Sequence, residues 1–361
     1  MLARVTRAAG ALAALTIALA AAAPASGAAL PRAWPDRFEI GVADQPGGAS
    51  EIRRHAPFGF RYQYLTGGVN TGGGWSTWNE RGTFVTRYIA ESRAAGVIPV
   101  FTYYQLLPSR PGAGTGERSR DISNLRNRAT MRAYWRDYRL FLRRARGQGL
   151  VVAHIEPDMW GYLQQAGKPR LARRLARRFV ALRDRHARNV ALAWHLSIWG
   201  TGEDPTYSNP PAAHMTTLAQ RSARFWRRAG ARRFDLTFLD VEDRDAGFNA
   251  HVNGDPDSGW DADDYDRIAI YLRDFHRRTR EPLAIWQIPL GNSTLPDEWG
   301  RFRDTRVEEW LGRRDRLQQL RDAGVVALLY GGGAEGTTSP RTDGGLFFRL
   351  AAAYYRDPLG V

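Results

Sequence analysis

The feature that most constrains the fold is a regular alternation of short apolar runs with longer segments of helical periodicity. Each of eight apolar runs has the length of a buried strand. These runs cover residues 38–43, 60–65, 98–107, 150–155, 190–198, 234–241, 283–288 and 325–330. Between them, apolar residues recur at three- and four-residue spacing, which predicts helices. The predicted helices cover residues 81–95, 129–146, 169–188, 212–229, 262–280, 303–323 and 346–356.

This eightfold alternation predicts the α/β class and a (β/α)8 TIM barrel, formed as a single domain by residues 29–361. A doubly wound open sheet is the alternative. Such a sheet often carries Gly-x-Gly-x-x-Gly between a strand and a helix, and the glycine runs at 72–74 and 331–333 lack that spacing. Both runs follow predicted strands, so we expect them in loops at the carboxyl end of the barrel.

The N-terminal segment has the pattern of a secretory signal peptide, which we place at residues 1–28. Arg4 and Arg7 precede an uncharged run at 8–23 and a small-residue stretch at 25–28. The alternative is an uncleaved membrane anchor, but the run is shorter than the ~20 apolar residues that a spanning helix needs. We therefore expect a secreted protein, extracellular or associated with the cell wall, that has no membrane attachment after cleavage.

The charge balance raises the question of nucleic acid, because 52 Lys+Arg stand against 37 Asp+Glu. Many arginines lie on the predicted helix at 169–188, where apolar residues at helical spacing predict a buried stripe. That stripe consists of Leu171, Leu175, Phe179 and Leu182. The arginines then form the solvated side, so we expect no nucleic-acid partner and retain cell-wall association through the basic surface. The absence of cysteine excludes a disulfide scaffold.

Polar side chains occur near the ends of three consecutive predicted strands. Alternate residues of a strand share one face, and in each of these strands the alternate phase is apolar. Because helices cover the outside of a barrel, we expect the polar phase to face the barrel axis, near the carboxyl end where barrel enzymes have their active sites. The residues predicted to converge there are His154, Glu156, His195, Asp240 and Glu242.

Aromatic residues flank the same positions. An indole has a broad apolar face and one polar edge, which suits stacking on the C–H face of a pyranose ring. The aromatic residues in or just after the predicted strand ends are Trp75, Trp78, Tyr103, Tyr104, Trp160, Trp199, Trp260, Trp286 and Trp299. The predicted substrate-binding residues are His195, Trp199, Tyr103, Trp160, Trp286 and Gln287.

Paired carboxylates and loop aromatics in an exported barrel predict hydrolysis of a glycosidic bond in a polysaccharide or oligosaccharide. Glu156 is the predicted general acid, because the neighbouring Met159 and Trp160 are apolar and would raise its pKa. Asp240 or Glu242 is the predicted second carboxylate. A separation of ~5 Å from the acid gives retention and ~6.5–9.5 Å gives inversion. We expect no cofactor and no catalytic metal.

The chain resembles secreted barrel glycoside hydrolases, the cellulase-like group in particular, in its architecture over most of the mature chain. Ile155-Glu156-Pro157-Asp158 is similar to the Glu-Pro-Asp strand end of family-six cellulases. The resemblance implies a barrel that hydrolyses glycosidic bonds. The large glycosidase clan with two catalytic glutamates has Asn-Glu at the end of strand four and Glu at the end of strand seven. Here Ile155-Glu156 and Trp286-Gln287 stand there, so the second catalytic position does not transfer.

Two other functions remain open from the residues. A non-catalytic carbohydrate-binding barrel at the cell envelope would keep the tryptophans and lose a catalytic carboxylate, and Gln287 in place of an acid favours it. A metal-dependent hydrolase would use a cluster of carboxylates after the sixth strand. That cluster consists of Asp240, Glu242, Asp243 and Asp245.

An acidic segment at residues 255–264 resembles a calcium loop, because oxygen ligands alternate around a glycine turn. The glutamate that closes an EF-hand is missing. Helix capping by Asp261, with Asp263 and Asp264 in the first turn, explains the same residues and is the interpretation we favour.

Overall fold

The computed structural model describes residues 29–361, so the predicted signal peptide at 1–28 lies outside the described residues. Eight parallel strands form a closed barrel in chain order, and the first strand pairs with the last. The strands are β1 (Glu39–Ala43), β2 (Phe60–Leu65), β3 (Ile98–Tyr103), β4 (Val151–Ile155), β5 (Val190–Ser197), β6 (Leu236–Asp240), β7 (Leu283–Ile288) and β8 (Val325–Tyr330). The predicted single-domain (β/α)8 barrel is confirmed.

Helices surround the barrel, and several match the predicted segments closely. Over residues 29–361 the helices are α1 (Ala49–His55), α2 (Thr83–Ala94), α3 (Gly116–Arg126), α4 (Arg128–Ala145), α5 (Met159–Gln165), α6 (Pro169–His186), α7 (Pro205–Ser208), α8 (Ala212–Ala229), α9 (Ala246–Phe248), α10 (Ala262–Thr279), α11 (Arg306–Gly312), α12 (Arg314–Asp322) and α13 (Leu346–Tyr354). The segment predicted at 303–323 forms two helices, because Arg313 has an extended backbone. None of the helices in this part of the chain has both the length and the apolar character to cross a membrane.

The two faces of the barrel strands pack into two different apolar clusters. Val152 of β4 and Ala193 of β5 belong to a cluster that fills the barrel interior. Ile155 of β4 and Trp194 of β5 belong to the larger cluster between the strands and the surrounding helices. The predicted alternation, with the apolar phase of these strands toward the helices, is confirmed.

The arginine-rich helix α6 packs the predicted apolar stripe against the barrel. Leu175 and Phe179 of the stripe are buried, and Leu171 and Leu182 are partly buried. Arg173, Arg174 and Arg177 are exposed. The arginines of this helix therefore lie mainly on its solvated side.

The acidic segment before α10 is a helix cap. The Asp261 carboxylate accepts the backbone N–H groups of Asp263 (2.8 Å) and Asp264 (3.2 Å), and the Asp264 carboxylate accepts the N–H of Asp261 (2.7 Å). Such reciprocal capping satisfies donors that the first helical turn cannot pair internally. The preferred interpretation of this segment as a cap is confirmed.

Candidate active site

A cleft of about 660 Å³ opens at the carboxyl end of the barrel strands. Parallel strands place their carboxyl ends at one rim, so residues far apart in sequence meet there. The acidic residues that line the cleft are Glu117, Asp158, Asp204, Asp240, Glu242 and Asp243. The aromatic residues that line it are Tyr64, Tyr104, Tyr162, Trp199, Tyr207 and Trp286.

The end of β6 supplies three neighbouring carboxylates. Asp240 is the last residue of the strand, and its side chain is 22% exposed. Glu242 is held by three donors: the Tyr207 hydroxyl (2.6 Å), and the backbone N–H groups of Asp243 (2.8 Å) and Arg244 (3.1 Å). Burial raises the pKa of Asp243 to about 7, and the Arg244 guanidinium opposes that rise. Because both Glu242 oxygens are engaged, Asp240 is the more available of the two predicted carboxylates.

Asp245 does not join this cluster. Its carboxylate is fully buried and accepts the backbone N–H groups of Gly291 (2.8 Å) and Thr338 (2.7 Å). The chain turns away from the end of β6 between Asp243 and Asp245. Asp245, the last residue of the metal cluster considered from the sequence, therefore connects the loop after β6 to the loops that contain Gly291 and Thr338. Over residues 29–361, no group of three or more His, Asp or Glu side chains has the arrangement of a metal site.

A left-handed turn after β4 separates Glu156 from Asp158. Both residues have positive φ, 47° and 70°, on either side of Pro157. Few non-glycine residues adopt this conformation, which costs about 1–3 kcal/mol and is concentrated at functional sites. The turn ends the strand alternation at Ile155, so the next carboxylates take directions that the alternation does not predict.

Glu156 points away from the cleft and is 1% exposed. Its Oε1 accepts the Tyr134 hydroxyl (2.6 Å) and the backbone N–H groups of Gln105 (3.1 Å) and Leu106 (3.2 Å). Burial raises its pKa to about 8. Glu156 thus binds the loop after β3 to α4, and the structure does not bring it beside Asp240 as the sequence led us to expect.

Asp158 lines the cleft instead. Burial, together with the charge of Asp240, raises its pKa to about 7, and His195 opposes that rise. The Tyr104 hydroxyl lies 3.4 Å from Asp158 Oδ2. A carboxyl group that is partly protonated near neutral pH can donate a proton to a bound molecule.

A line of buried polar side chains runs through the barrel interior to Asp240. The Thr102 hydroxyl lies 3.3 Å from His154 Nδ1, and His154 Nε2 lies 3.0 Å from His195 Nδ1. His195 Nε2 then lies 3.1 Å from Asp240 Oδ1, in a bent contact rather than an aligned hydrogen bond. The Trp286 ring packs edge-on against the His154 ring, with the ring centroids 4.6 Å apart. The two predicted histidines and Asp240 therefore do converge.

One arrangement of protons suits this line. Burial and the neighbouring His195 lower the pKa of His154 well below its usual value, so His154 is neutral. In this arrangement His195 carries a proton on Nε2, because a lone pair there would face the oxygen of Asp240. His195 Nδ1 then accepts from His154 Nε2–H, and His154 Nδ1 accepts from the Thr102 hydroxyl. This arrangement holds the N–H dipole of His195 against the Asp240 carboxylate.

Three predicted substrate-binding residues line the cleft: Trp199, Trp286 and Gln287. Gln287 has a positive φ of 63°, and its Oε1 accepts the Tyr64 hydroxyl at 2.8 Å. Trp199 packs beside Tyr162 with ring centroids 5.0 Å apart. His195 is fully buried beneath them and contacts Asp240.

Tyr103 and Trp160 lie outside the cleft. Tyr103 belongs to the outer phase of β3, and its hydroxyl donates to Asp137 at 2.6 Å. Trp160 stacks on Trp194 with ring centroids 3.7 Å apart, and its indole N–H donates to the Ile155 carbonyl at 2.8 Å. Both side chains pack between the barrel and its helices, so they stabilise the walls that position the site.

Some residues that line the cleft were not among the predicted catalytic or substrate-binding residues. Asp158 lies two positions after Glu156, and Tyr104, which the sequence placed among the aromatic residues near the strand ends, directly follows Tyr103. A turn after each strand decides which of the neighbouring residues faces the cleft. Tyr64 shares the inner face of β2 with Phe60 and Tyr62. Strand alternation could therefore have placed Tyr64 on this face from the sequence alone. The walls of the cleft consequently contain more tyrosine than we expected from the sequence, where most of the aromatic residues named were tryptophans.

No protein-family model and no curated protein matches the sequence. Solved structures do match in shape. A glycoside hydrolase family 5 enzyme from Prevotella bryantii B14 is similar with a TM-score of 0.53 and 11% identity, over 89% of this chain and 96% of that chain. A Cellulomonas fimi endo-β-1,4-mannanase is similar with a TM-score of 0.55 and 14% identity, over 89% of this chain and 71% of that chain.

A β-mannanase of glycoside hydrolase family 26 from Bacteroides ovatus is also similar, with a TM-score of 0.54 and 13% identity over 89% of each chain. These structures share with this chain the closed eight-stranded barrel over about nine-tenths of its length. At such low identity the similarity establishes the (β/α)8 fold.

Proposed function

We propose that this protein is a glycoside hydrolase that cleaves a polysaccharide or oligosaccharide, with Asp158 as the general acid and Asp240 as the second carboxylate. The observation that carries the proposal is the placement of these two groups. Asp158 after β4 and Asp240 at the end of β6 line one cleft. Burial raises the pKa of Asp158 to about 7, whereas Asp240 Oδ1 lies 3.1 Å from Nε2 of the buried His195.

The two environments suit two different chemical roles. A partly protonated Asp158 can protonate the glycosidic oxygen as the bond to the sugar breaks. An ionised Asp240 can attack the anomeric carbon or take a proton from an attacking water.

The aromatic walls support a carbohydrate ligand. Tyr104 and Trp199 present partly exposed rings around the carboxylates, and the Gln287 amide adds a hydrogen-bonding group. Trp286 also lines the cleft, but it is buried and supports the floor beneath these residues. Rings of this kind stack on sugar C–H faces while polar edges bond the hydroxyls. The similar solved structures carry the names of a glycoside hydrolase family 5 enzyme and of β-mannanases, which supports the same chemistry on the shared fold.

The proposed enzyme acts outside the cytoplasm. Two arginines, an uncharged run and a small-residue stretch at residues 1–28 support export through a signal peptide. The exposed arginines of α6 supply a basic surface for association with an acidic cell wall.

The test is release of reducing sugar from carboxymethylcellulose, glucomannan, xyloglucan and bacterial and fungal wall polysaccharides. We expect release from at least one, and loss of that release in Asp158→Asn. The Glu156→Gln variant is the matched control, since Glu156 lies next to the same turn but outside the cleft. A protein that releases sugar from no member of the panel would overturn the proposal.

A second candidate function is non-catalytic carbohydrate binding. Gln287 favours it, because this amide occupies the strand-seven end and lines the cleft where an acid could act. Binding of a polysaccharide by the parent protein with no release of sugar would establish this second function and exclude hydrolysis.

A further inference from the structure

We propose that a second carbohydrate subsite, centred on Trp78, continues the cleft across the β1–β2 side of the barrel rim. The inference rests on the proposed function in taking the cleft ligand to be a glycan. It adds that the substrate is a chain of several sugar units, bound along both cavities, rather than a single sugar or a disaccharide.

A second cavity adjoins the cleft. Its volume is about 630 Å³, close to that of the cleft itself, and Tyr64 and Thr66 line both. The two cavities therefore adjoin at the end of β2. A ligand that leaves the cleft past Tyr64 enters a groove, defined by Gln45, Gln63, Trp78 and Arg87 together with the shared residues.

Trp78 presents a rigid aromatic surface to this groove. Its side chain is 41% exposed, which is unusual for a residue of this size. The indole N–H donates to the Gly73 carbonyl at 3.2 Å, and the ring packs edge-on against Phe84 at 5.1 Å. Because the ring is already held, a ligand that stacks on it loses little conformational entropy. An ordered, exposed ring beside a cavity suits a sugar face.

The polar groups left open in the groove are mainly donors. Gln63 donates to Gln45 Oε1 at 2.7 Å, which leaves the amide nitrogen of Gln45 for a ligand. Arg87 is exposed, and within residues 29–361 no carboxylate forms an ion pair with it. The groove carboxylate Glu91 is already engaged, because it binds the Arg61 guanidinium at 2.8 Å.

The groove and the cleft differ in the side chains that line them, and this difference suggests different roles for the two. Carboxylates crowd the cleft, whereas the groove offers an aromatic face, an amide and a guanidinium. An amide and a guanidinium donate hydrogen bonds to sugar hydroxyl oxygens, and neither exchanges a proton near neutral pH as an acid or base for bond cleavage would. The groove therefore contributes affinity for a longer chain without taking part in the reaction.

The experiment is affinity electrophoresis of the full protein in gels that contain glucomannan, xyloglucan or carboxymethylcellulose. We expect at least one polysaccharide to retard the parent, and Trp78→Ala to bind it about tenfold more weakly, the effect of losing one stacked ring. Trp299→Ala is the matched control, because Trp299 is 65% exposed and lines neither cavity. Trp78→Phe should retain most of the retardation.

Gln45→Ala removes a groove donor with no packed ring and should weaken binding severalfold, so the test does not depend on the folding of one variant. Equal retardation of the parent, Trp78→Ala and Gln45→Ala would overturn the subsite, as would a parent that none of the three polysaccharides retards. The outcomes also separate the two proposals. Retardation that depends on Trp78, without sugar release, keeps the subsite and removes the hydrolase. Sugar release with unchanged KM in Trp78→Ala removes only the subsite.

Discussion

His195 Nε2 lies 3.1 Å from Asp240 Oδ1, where the barrel interior meets the floor of the cleft. His195 in turn contacts His154, and His154 contacts Thr102. These polar side chains lie on β3, β4 and β5 and at the end of β6, and they form one line beside the apolar cluster of the barrel interior. A buried chain of this kind has few alternative arrangements, because each unpaired member would carry a desolvation cost. The line ends beside the carboxylate proposed to act on the sugar, with His195 in a bent contact with Asp240.

Replacing His195 by Phe should lower kcat about a hundredfold with little change in KM, because Asp240 would lose its buried N–H neighbour while the aromatic walls remain. His195→Gln should recover part of the loss, since its side-chain N–H can reach the same oxygen. The measurement is kcat and KM on the polysaccharide that the parent cleaves, with thermal unfolding as the folding control. A Phe variant as active as the parent would remove His195 from the positioning of Asp240.

The neighbouring carboxyls Asp158 and Glu156 should respond differently to amide substitution. Asp158→Asn should lower kcat about 10²–10⁴-fold, the usual contribution of a general acid. Glu156→Gln should stay within a few-fold of the parent, because Glu156 is buried against Tyr134 and does not line the cleft. The measurement is the initial rate of reducing-sugar release by both variants. A large loss in Glu156→Gln with little loss in Asp158→Asn would identify Glu156 as the general acid instead.

The pH dependence of the reaction follows from Asp158. Its pKa, raised to about 7 by burial, means that the protonated form is lost as pH rises through that value. We expect kcat/KM on polysaccharide to fall about tenfold per pH unit above that pKa. A 2,4-dinitrophenyl glycoside of the same sugar needs no proton on its leaving group, so its rate should lack this fall. An identical alkaline limb for both substrates would contradict the assignment of Asp158.

Protein stability should also depend on pH through Glu156. Burial raises its folded-state pKa to about 8, above the value in an unfolded chain. Between those two values the folded protein holds the Glu156 proton and the unfolded protein does not. The contribution of Glu156 to stability is therefore complete at low pH and is lost as pH rises through about 8. The expected slope is about 1.4 kcal/mol per pH unit for one such group. Urea unfolding at several pH values measures it.

Glu156→Gln is the control for that measurement. The amide does not ionise, so the variant should lose a slope of this size while keeping an acceptor for Tyr134. A parent and variant with the same dependence on pH would show that Glu156 does not titrate in this range.

The strands were predictable because barrel strands are bounded by polar turns and buried on both faces. The predicted bounds of β2, β7 and β8 and of helix α8 agree with the structure, since glycine or proline, or a clear loss of periodicity, marks the ends of each. The interior histidines were predictable for a related reason. Side chains in a strand alternate strictly, so His154 and His195 had to share the inner face once that face was known.

The residues that line the cleft were harder to predict, because they follow the strands. Glu156 and Asp158 adopt left-handed backbone conformations that residue type alone does not favour. One such residue is enough to turn the next carboxylate from one side of the wall to the other. Tyr103 is a different case: it shares the outer phase of β3 with Phe101, and the alternation alone placed it among the helices.

Gly161 in α5 is proposed to keep Trp199 at the cleft wall. A Cβ at this position would lie 2.6 Å from the Ser197 side chain and 2.7 Å from the Trp199 ring. Both separations are too short for carbon contacts, so Gly161→Ala should push α5 away from the end of β5 and displace the tryptophan. We expect KM to rise several-fold and the free energy of unfolding to fall by about 1–3 kcal/mol, the usual effect of overpacking.

The result is diagnostic because helix propensity alone favours alanine over glycine by about 1 kcal/mol. Gly259→Ala is a control for the steric effect of an added methyl group alone, since Gly259 lies in a loop, a Cβ there meets no atom within 4 Å and the residue does not line the cleft. Kinetics on the cleaved polysaccharide and urea unfolding of both variants provide the measurements. If Gly161→Ala is more stable than the parent and binds substrate equally well, the close packing of α5 on Trp199 does not shape the cleft.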